Sequence, residues 1–277
     1  MRIKLTTIIR GLSKEENMNL LLRGKVAVIT GSTANIGRTG AILFAQEGAR
    51  VIITGRSEER GQEVVRTIKE QGNEASFIRA DLQIVADIER LIRMTVETYG
   101  RLDIFWHNAG IIERDDIENI TEETYDKSMT IDLKASVFGT KFAIPEIRKA
   151  GGGSILFTGS VAGLKQSSYS LTYSLSKTGL IMLTKKLAVD LAKDNIRVNC
   201  ICPGRVENRM STTIFEQRAQ EKGIDLEDFI KWDMQRIPLG RFITQKEIAD
   251  TALFLVSDIA SAITGVALPV DGGFLAV

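Results

Sequence analysis

Beyond Gly24 the chain alternates between short runs rich in Val and Ile and longer stretches whose apolar residues recur at helical spacing. Parallel strands joined by crossover helices produce such a pattern, because a strand covered on both faces is apolar at every position while its connecting helix buries one stripe. Seven runs qualify: Lys25 to Thr30, Arg50 to Thr54, Ala75 to Arg79, Leu102 to His107, Ser154 to Thr158, Ile196 to Cys202 and Val266 to Val270. They predict one α/β domain built on a doubly wound, seven-stranded parallel sheet flanked by helices. Between them, Ile88, Leu91, Ile92, Thr95, Val96 and Tyr99 mark one buried helical stripe, and Gly100 follows where a left-handed C-cap would end it. Thr244 followed by Glu247 reads as a capping box at the start of a helix running to Val256.

The segment ahead of Gly24 breaks the pattern. Its apolar stretch Leu5 to Ile9 is shorter than the roughly 7 to 15 residues of a signal-peptide core, so residues 1–23 are expected to form a poorly ordered extension. Residues 24–277 contain no Pro/Ser-rich linker, repeat or low-complexity tract, and a division into two domains has no composition break to rest on.

Composition narrows the function. The 36 Lys and Arg against 35 Asp and Glu leave a net charge of +1, which provides no global field for nucleic acid or an anionic membrane. Charged residues interrupt every apolar stretch before the ~18 residues of a membrane span, so a cytoplasmic protein is expected. Cys200 and Cys202, the only two cysteines, fit neither a disulfide framework nor a zinc spacing and read as free thiols. A single histidine, His107, leaves little for a histidine-rich metal site or a Ser-His-Asp hydrolase, and no metal is expected.

The first strand runs straight into Gly31-Ser32-Thr33-Ala34-Asn35-Ile36-Gly37 and then a helical stretch. Small residues at a helix N-terminus let backbone N–H groups approach a pyrophosphate, and the helix dipole favours its charge. A P-loop would need four residues between its glycines and then Lys, whereas five separate Gly31 from Gly37 and Arg38 follows. Further along, Asp81 follows the third strand and Asn108-Ala109-Gly110 the fourth, and then come Ser160, Tyr173-x-x-x-Lys177, Pro203-Gly204 and Asp271-Gly272-Gly273. Taken together and in this order, these motifs resemble the short-chain dehydrogenases/reductases, over essentially all of residues 24–277.

The resemblance implies a Rossmann-type sheet with a nicotinamide coenzyme across the carboxyl ends of its strands. It places the coenzyme along Gly31, Thr33, Asn35, Ile36 and Gly37, with Asp81 and Leu82 at the adenine. Asn108, Ala109 and Gly110 would support it, Tyr173 and Lys177 would reach it, and Pro203, Gly204 and Val206 would border the nicotinamide. It also suggests a homotetramer built on the helices around Asp132 and Tyr173 and on the last strand. Asn35 departs from the family's usual glycine, but asparagine tolerates positive φ better than most residues. His107 replaces a common asparagine and reads as a strand-end hydrogen bonder turned away from Asn108. Gly55 stands where a coenzyme with a free ribose 2'-hydroxyl usually meets an acid, and Arg56 offers a guanidinium for a 2'-phosphate. NADP(H) is therefore favoured, with NAD(H) as the alternative.

Proton transfer to a carbonyl oxygen needs a donor, and a tyrosine serves if its pKa is brought down from about 10. Lys177, four residues after Tyr173, shares its helical face and would stabilise a phenolate. Ser160, thirteen residues upstream of Tyr173, would hold the substrate oxygen. Tyr169 has no lysine four residues on, and Gly159-Ser160-Val161-Ala162-Gly163 lacks a nucleophile elbow. Asp132 stands where the family often has a proton-relay asparagine; it reads either as a fourth catalytic residue or as a locally satisfied helix acid.

Residues 205–237, including Arg205, Arg209, Met210, Phe215, Phe229, Trp232 and Met234, are expected to form a substrate lid. Leu164 to Ser168 and Ile111 to Arg114 would form other walls. The reading is an NADP(H)-dependent oxidoreductase that interconverts a secondary alcohol and a ketone, with Tyr173 as general acid and base. Sugars, steroids, acyl thioesters and small ketones all stay open as substrates. A non-catalytic dinucleotide sensor, or an epimerase or dehydratase retaining its coenzyme, are the alternatives.

Overall fold

The computed structural model describes residues 20–166, 169–207 and 209–277. Of the segment read as an extension, residues 1–19 lie outside the described residues, whereas Leu22 is buried in the core and its amide donates to the Glu47 carbonyl.

Seven parallel strands form one sheet in the order β3-β2-β1-β4-β5-β6-β7. They are β1 (Val26–Ile29), β2 (Arg50–Gly55), β3 (Ala75–Arg79), β4 (Ile104–His107), β5 (Gly153–Thr158), β6 (Ile196–Pro203) and β7 (Ala267–Val270). Every predicted strand is present, with ends moved by two residues or fewer. The sheet is covered on both sides. One face packs against α1 (Asn35–Gln46), α2 (Glu58–Glu70) and α9 (Gln245–Val256), with Phe44, Val64, Ile248 and Leu255 fully or almost fully buried. The other packs against α3 (Val85–Tyr99), α5 (Ala135–Lys149) and α6 (Leu171–Leu191) through Leu91, Ile147 and Leu180. Buried apolar side chains on both faces explain why the strands read as continuous hydrophobic runs.

The local signals act as read. Gly100 ends α3 in the left-handed conformation at φ 77°, and Thr244 and Glu247 close a reciprocal capping box on α9. Short α4 (Glu122–Ser128) runs into α5 through a π-helical turn, Met129–Lys134, that carries Asp132. Such turns insert one residue into a helix and free it from regular packing, a device common at functional sites. Helices α7 (Arg209–Lys222) and α8 (Leu226–Met234) form a small separate cluster around Phe215, Ala219 and Phe229. The order in which strands are added to the sheet switches sides between β1 and β4, and the crevice at the carboxyl ends of the strands opens there.

Candidate active site

The turn after β1 shapes the inner wall of this crevice. Gly31 lies at φ 64° and Asn35 at φ 47°, so asparagine adopts the left-handed geometry that the turn requires. A Cβ on Gly37 would stand 2.5 Å from the Gly31 carbonyl oxygen and 2.6 Å from Asn108 Nδ2, so glycine is needed for the helix to approach the turn. The cavity along this turn measures about 300 Å³ and is lined by Gly31, Thr33, Asn35 and Ile36. Its far end is closed by Arg56, Asp81 and Leu82, and its middle by Asn108, Ala109 and Gly110. Tyr173 and Lys177 line the near end. Arg60, which the sequence reading did not single out, joins Arg56 in the wall. The close-approach glycines, the helix N-terminus and the guanidiniums of Arg56 and Arg60 in the wall fit a dinucleotide.

A hydroxyl network braces the floor. Thr30 Oγ1 accepts hydrogen bonds from the amides of Asn108 and Ala109, each at 3.0 Å, which occupies both of its lone pairs. Its proton is left for His107 Nδ1 at 3.3 Å, so the neutral imidazole carries its own proton on Nε2. Burial, and then the Lys177 charge, push the imidazole down to about 3, against the backbone of Ile131 and Asp132. His107 is thus the strand-end hydrogen bonder anticipated, and it is held neutral.

Helix α6 delivers the reactive pair. Ser170 caps it by accepting from the Tyr173 amide at 3.1 Å, and buried Asp115 accepts from Ser170 Oγ at 3.0 Å and from Thr172. Tyr173 therefore sits in a fixed first turn, and Lys177 one turn later places its Nζ 5.2 Å from the phenol ring centre. Lys177 Nζ donates to the Thr158 carbonyl at 3.1 Å and faces Asp132 Oδ2 at 3.4 Å. Ser160, just beyond β5, accepts from the Ala162 amide at 3.1 Å and is nearly buried.

Asp132 is fully buried behind Lys177 and does not line the cavity. Its carboxylate accepts from the Ile111 amide at 2.8 Å and from Ser176 Oγ at 3.3 Å. Its contact with the reactive residues therefore runs through Lys177. Burial pushes the Asp132 carboxyl up, opposed by Lys177. Burial works against the Lys177 ammonium, yet Asp132 and Tyr173 outweigh it and hold the lysine above its ordinary value. Tyr173 is held above 10 by burial; Lys177 pulls it down, Asp132 pushes it up and Ser160 lowers it.

A second cavity of about 230 Å³ adjoins the first and shares Tyr173 and Ile36. Ser160, Pro203, Gly204 and Val206 line it, and Ile214, Phe215 and Arg218 of α7 cover it. Tyr169 also lines it, its hydroxyl donating to Gln217 rather than joining the reactive pair. Of the anticipated walls, residues 167–168 lie outside the described residues, as do the side chains of Arg209 and Met210. Phe274, Arg218 and Arg236 were not anticipated as a group, because they come from three separate segments that only the folded chain brings together.

Cys200 and Cys202 are free and buried on β6, their Sγ atoms 3.9 Å apart. Among the described residues, no group of His, Cys, Asp and Glu could hold a metal ion, and no helix is long and apolar enough to cross a membrane.

Comparison with known proteins follows the same outline. The family profile described as enoyl-(acyl carrier protein) reductase matches residues 31–275. An uncharacterized oxidoreductase of Thermotoga maritima is 40% identical over 92% of this chain and 99% of its own length. The 2,5-dichloro-2,5-cyclohexadiene-1,4-diol dehydrogenase of Sphingobium indicum is 35% identical over 91% of this chain and 97% of its own. The crystal structure of levodione reductase superimposes with a TM-score of 0.88 at 29% identity, covering 92% of this chain and 99% of the other.

Proposed function

The chain belongs to the short-chain dehydrogenase/reductase family and is an oxidoreductase, and from that premise we propose that it interconverts a secondary alcohol and a ketone, using NADP(H). One observation carries the reading: Tyr173 lines both cavities, with Lys177 beside it in the first and Ser160 beside it in the second. Two relatives whose names give a six-membered carbocyclic diol and the diketone levodione support a substrate of that size.

Gly31, Asn35, Arg56 and Asn108 would hold the coenzyme, which when bound would supply or accept the hydride at the substrate carbon. All else falls to the protein. Ser160 donates its hydroxyl to the substrate oxygen and fixes its position. Tyr173 gives its proton to that oxygen during reduction and takes one back during oxidation. Lys177 stabilises the phenolate left behind, and the Thr158 carbonyl and Asp132 hold the ammonium against the tyrosine ring. Helices α7 and α8 act as the lid that excludes water from the step.

Arg56 and Arg60, with glycine rather than an acid at position 55, support NADP(H) over NAD(H). Leu175, Met182 and Val189 form an exposed stripe at seven-residue spacing on α6, at 46%, 63% and 79% exposure, which supports a homotetramer packed through this helix. A panel of ketones and alcohols followed through NADPH and NADH absorbance tests the proposal; net coenzyme turnover also separates it from a sensor, an epimerase or a dehydratase.

A further inference from the structure

The second cavity is far more cationic than its sequence neighbourhood suggests. Arg205 follows the Pro203-Gly204 turn, Arg218 comes from α7, Arg236 follows α8, and all three line the cavity that holds Ser160 and Tyr173. Asp233, fully buried, takes Arg205 Nε at 2.7 Å and Arg236 at 3.5 Å. The neighbouring acid Glu221 pairs with Arg114 and also acts on Arg218. Among the described residues the cluster therefore carries more positive than negative charge.

Aromatic faces hold these cations in place without neutralising their charge. Phe274 has Arg205 at 5.5 Å, Arg236 at 5.4 Å and Lys165 at 5.3 Å from its ring centre, and Lys165 donates to the Val277 carbonyl at 3.3 Å. Arg218 lies over Phe229 at 5.7 Å. Burial and then the Arg205 charge pull the Arg218 guanidinium below its ordinary value, with Arg236 adding to the effect against Asp233. Like charges are thus gathered around a space that a small molecule would fill, and a bound anion would relieve their repulsion.

We propose that the substrate is a small ketone or alcohol bearing a carboxylate, its oxygen to be reduced lying at Ser160 and Tyr173 and its carboxylate meeting the Arg205, Arg218 and Arg236 cluster. Planar guanidiniums pair with carboxylates in two-pronged fashion, which would set the distance between the charged end and the reacting carbon. Arg205, already fixed by Asp233, presents a preorganised edge, and Arg218 on the lid closes over the same group. Anion binding thereby draws the lid down and excludes water from the hydride step.

This inference rests on the oxidoreductase reading, and the test separates the two. The full-length protein is assayed with NADPH and NADH on short linear keto acids and 4-oxocyclohexanecarboxylate, each beside its methyl ester. The acid of the best pair is expected to exceed its ester by about tenfold or more in kcat/KM, an advantage that shrinks as salt is raised. In Arg218→Gln, and separately in Arg236→Gln, the acid-to-ester ratio should fall toward one, chiefly through a higher KM for the acid. Esters turned over as well as or better than acids would overturn the anionic substrate and leave the oxidoreductase standing. An acid preference that neither salt nor either variant diminishes would overturn the arginine cluster as its source. Failure of every carbonyl and alcohol tested to turn over either coenzyme would refute the ketone–alcohol reading, and this inference with it.

Discussion

Replacing Asp132 by asparagine should make Tyr173 easier to ionise. The carboxylate lies 3.4 Å from Lys177 Nζ, which lies 5.2 Å from the tyrosine ring centre. The carboxylate is therefore within about 9 Å of the ring, where Coulomb's law at an effective dielectric of about 20 gives roughly 1.8 kcal/mol, a little over one pKa unit. Asparagine removes that negative charge and can still accept from the Ile111 amide, so the π-turn is preserved. Lys177 loses an attractive partner and its own pKa falls, but its remaining charge acts on the phenol without opposition.

The sign follows from which form reacts. Alcohol oxidation needs ionised tyrosine, so the rising limb of kcat/KM against pH tracks the Tyr173 pKa. Burial and Asp132 hold that pKa above 10 in the parent, with Lys177 opposing them. In Asp132→Asn the limb should move toward neutral pH by about one unit, and oxidation on that limb should speed up by up to about tenfold. The assay is oxidation of one alcohol from neutral to strongly alkaline pH in both proteins, with coenzyme binding checked by fluorescence. A limb that stays in place, or moves upward, while coenzyme still binds would refute the coupling.

Other changes probe the remaining parts. Gly37→Ala drives a Cβ to 2.5 Å from the Gly31 carbonyl, so coenzyme affinity should fall by about tenfold or more in a fluorescence titration. Gly55→Asp should move preference from NADPH toward NADH by repelling the 2'-phosphate, although its Cβ comes to 2.8 Å of Thr33 Cγ2 and total affinity should drop as well; an unchanged NADPH-to-NADH ratio would mean that Arg56 faces solvent. His107, depressed to about 3 in the folded protein, contributes stability that is complete above its unfolded value near 6.5 and is lost as pH falls toward 3. Against His107→Asn, the parent should lose up to about 1.4 kcal/mol per pH unit more across that window, measured by urea unfolding at each pH.

Local chemistry made most of the fold legible. Runs such as Val26–Ile29 are apolar at every position because helices cover both faces of the sheet, and Gly100 and Thr244 end and begin their helices by backbone rules that need no tertiary information. That Tyr173 and Lys177 come together was legible because they are one helical turn apart, and Asn35 because its left-handed φ is one that asparagine accepts. Asp132 was only half legible: its place in sequence marked it, but its position behind Lys177 depends on a π-turn that no local pattern announces. The cluster of Arg205, Arg218 and Arg236 left no trace, because a chain with a net charge of +1 conceals a local excess assembled from distant segments. Arg60 was missed for a simpler reason. It occupies the first turn of α2, where an arginine reads as solvated until the helix is seen to pass the cavity.

The claim on which everything else depends is that Tyr173 moves the proton while the coenzyme moves the hydride. Removing the hydroxyl in Tyr173→Phe tests it, with ketone reduction followed through coenzyme absorbance and coenzyme affinity measured alongside. Turnover should fall by about a hundredfold or more with affinity nearly unchanged. A variant that binds coenzyme normally and still reduces the ketone at close to the parental rate would contradict the account.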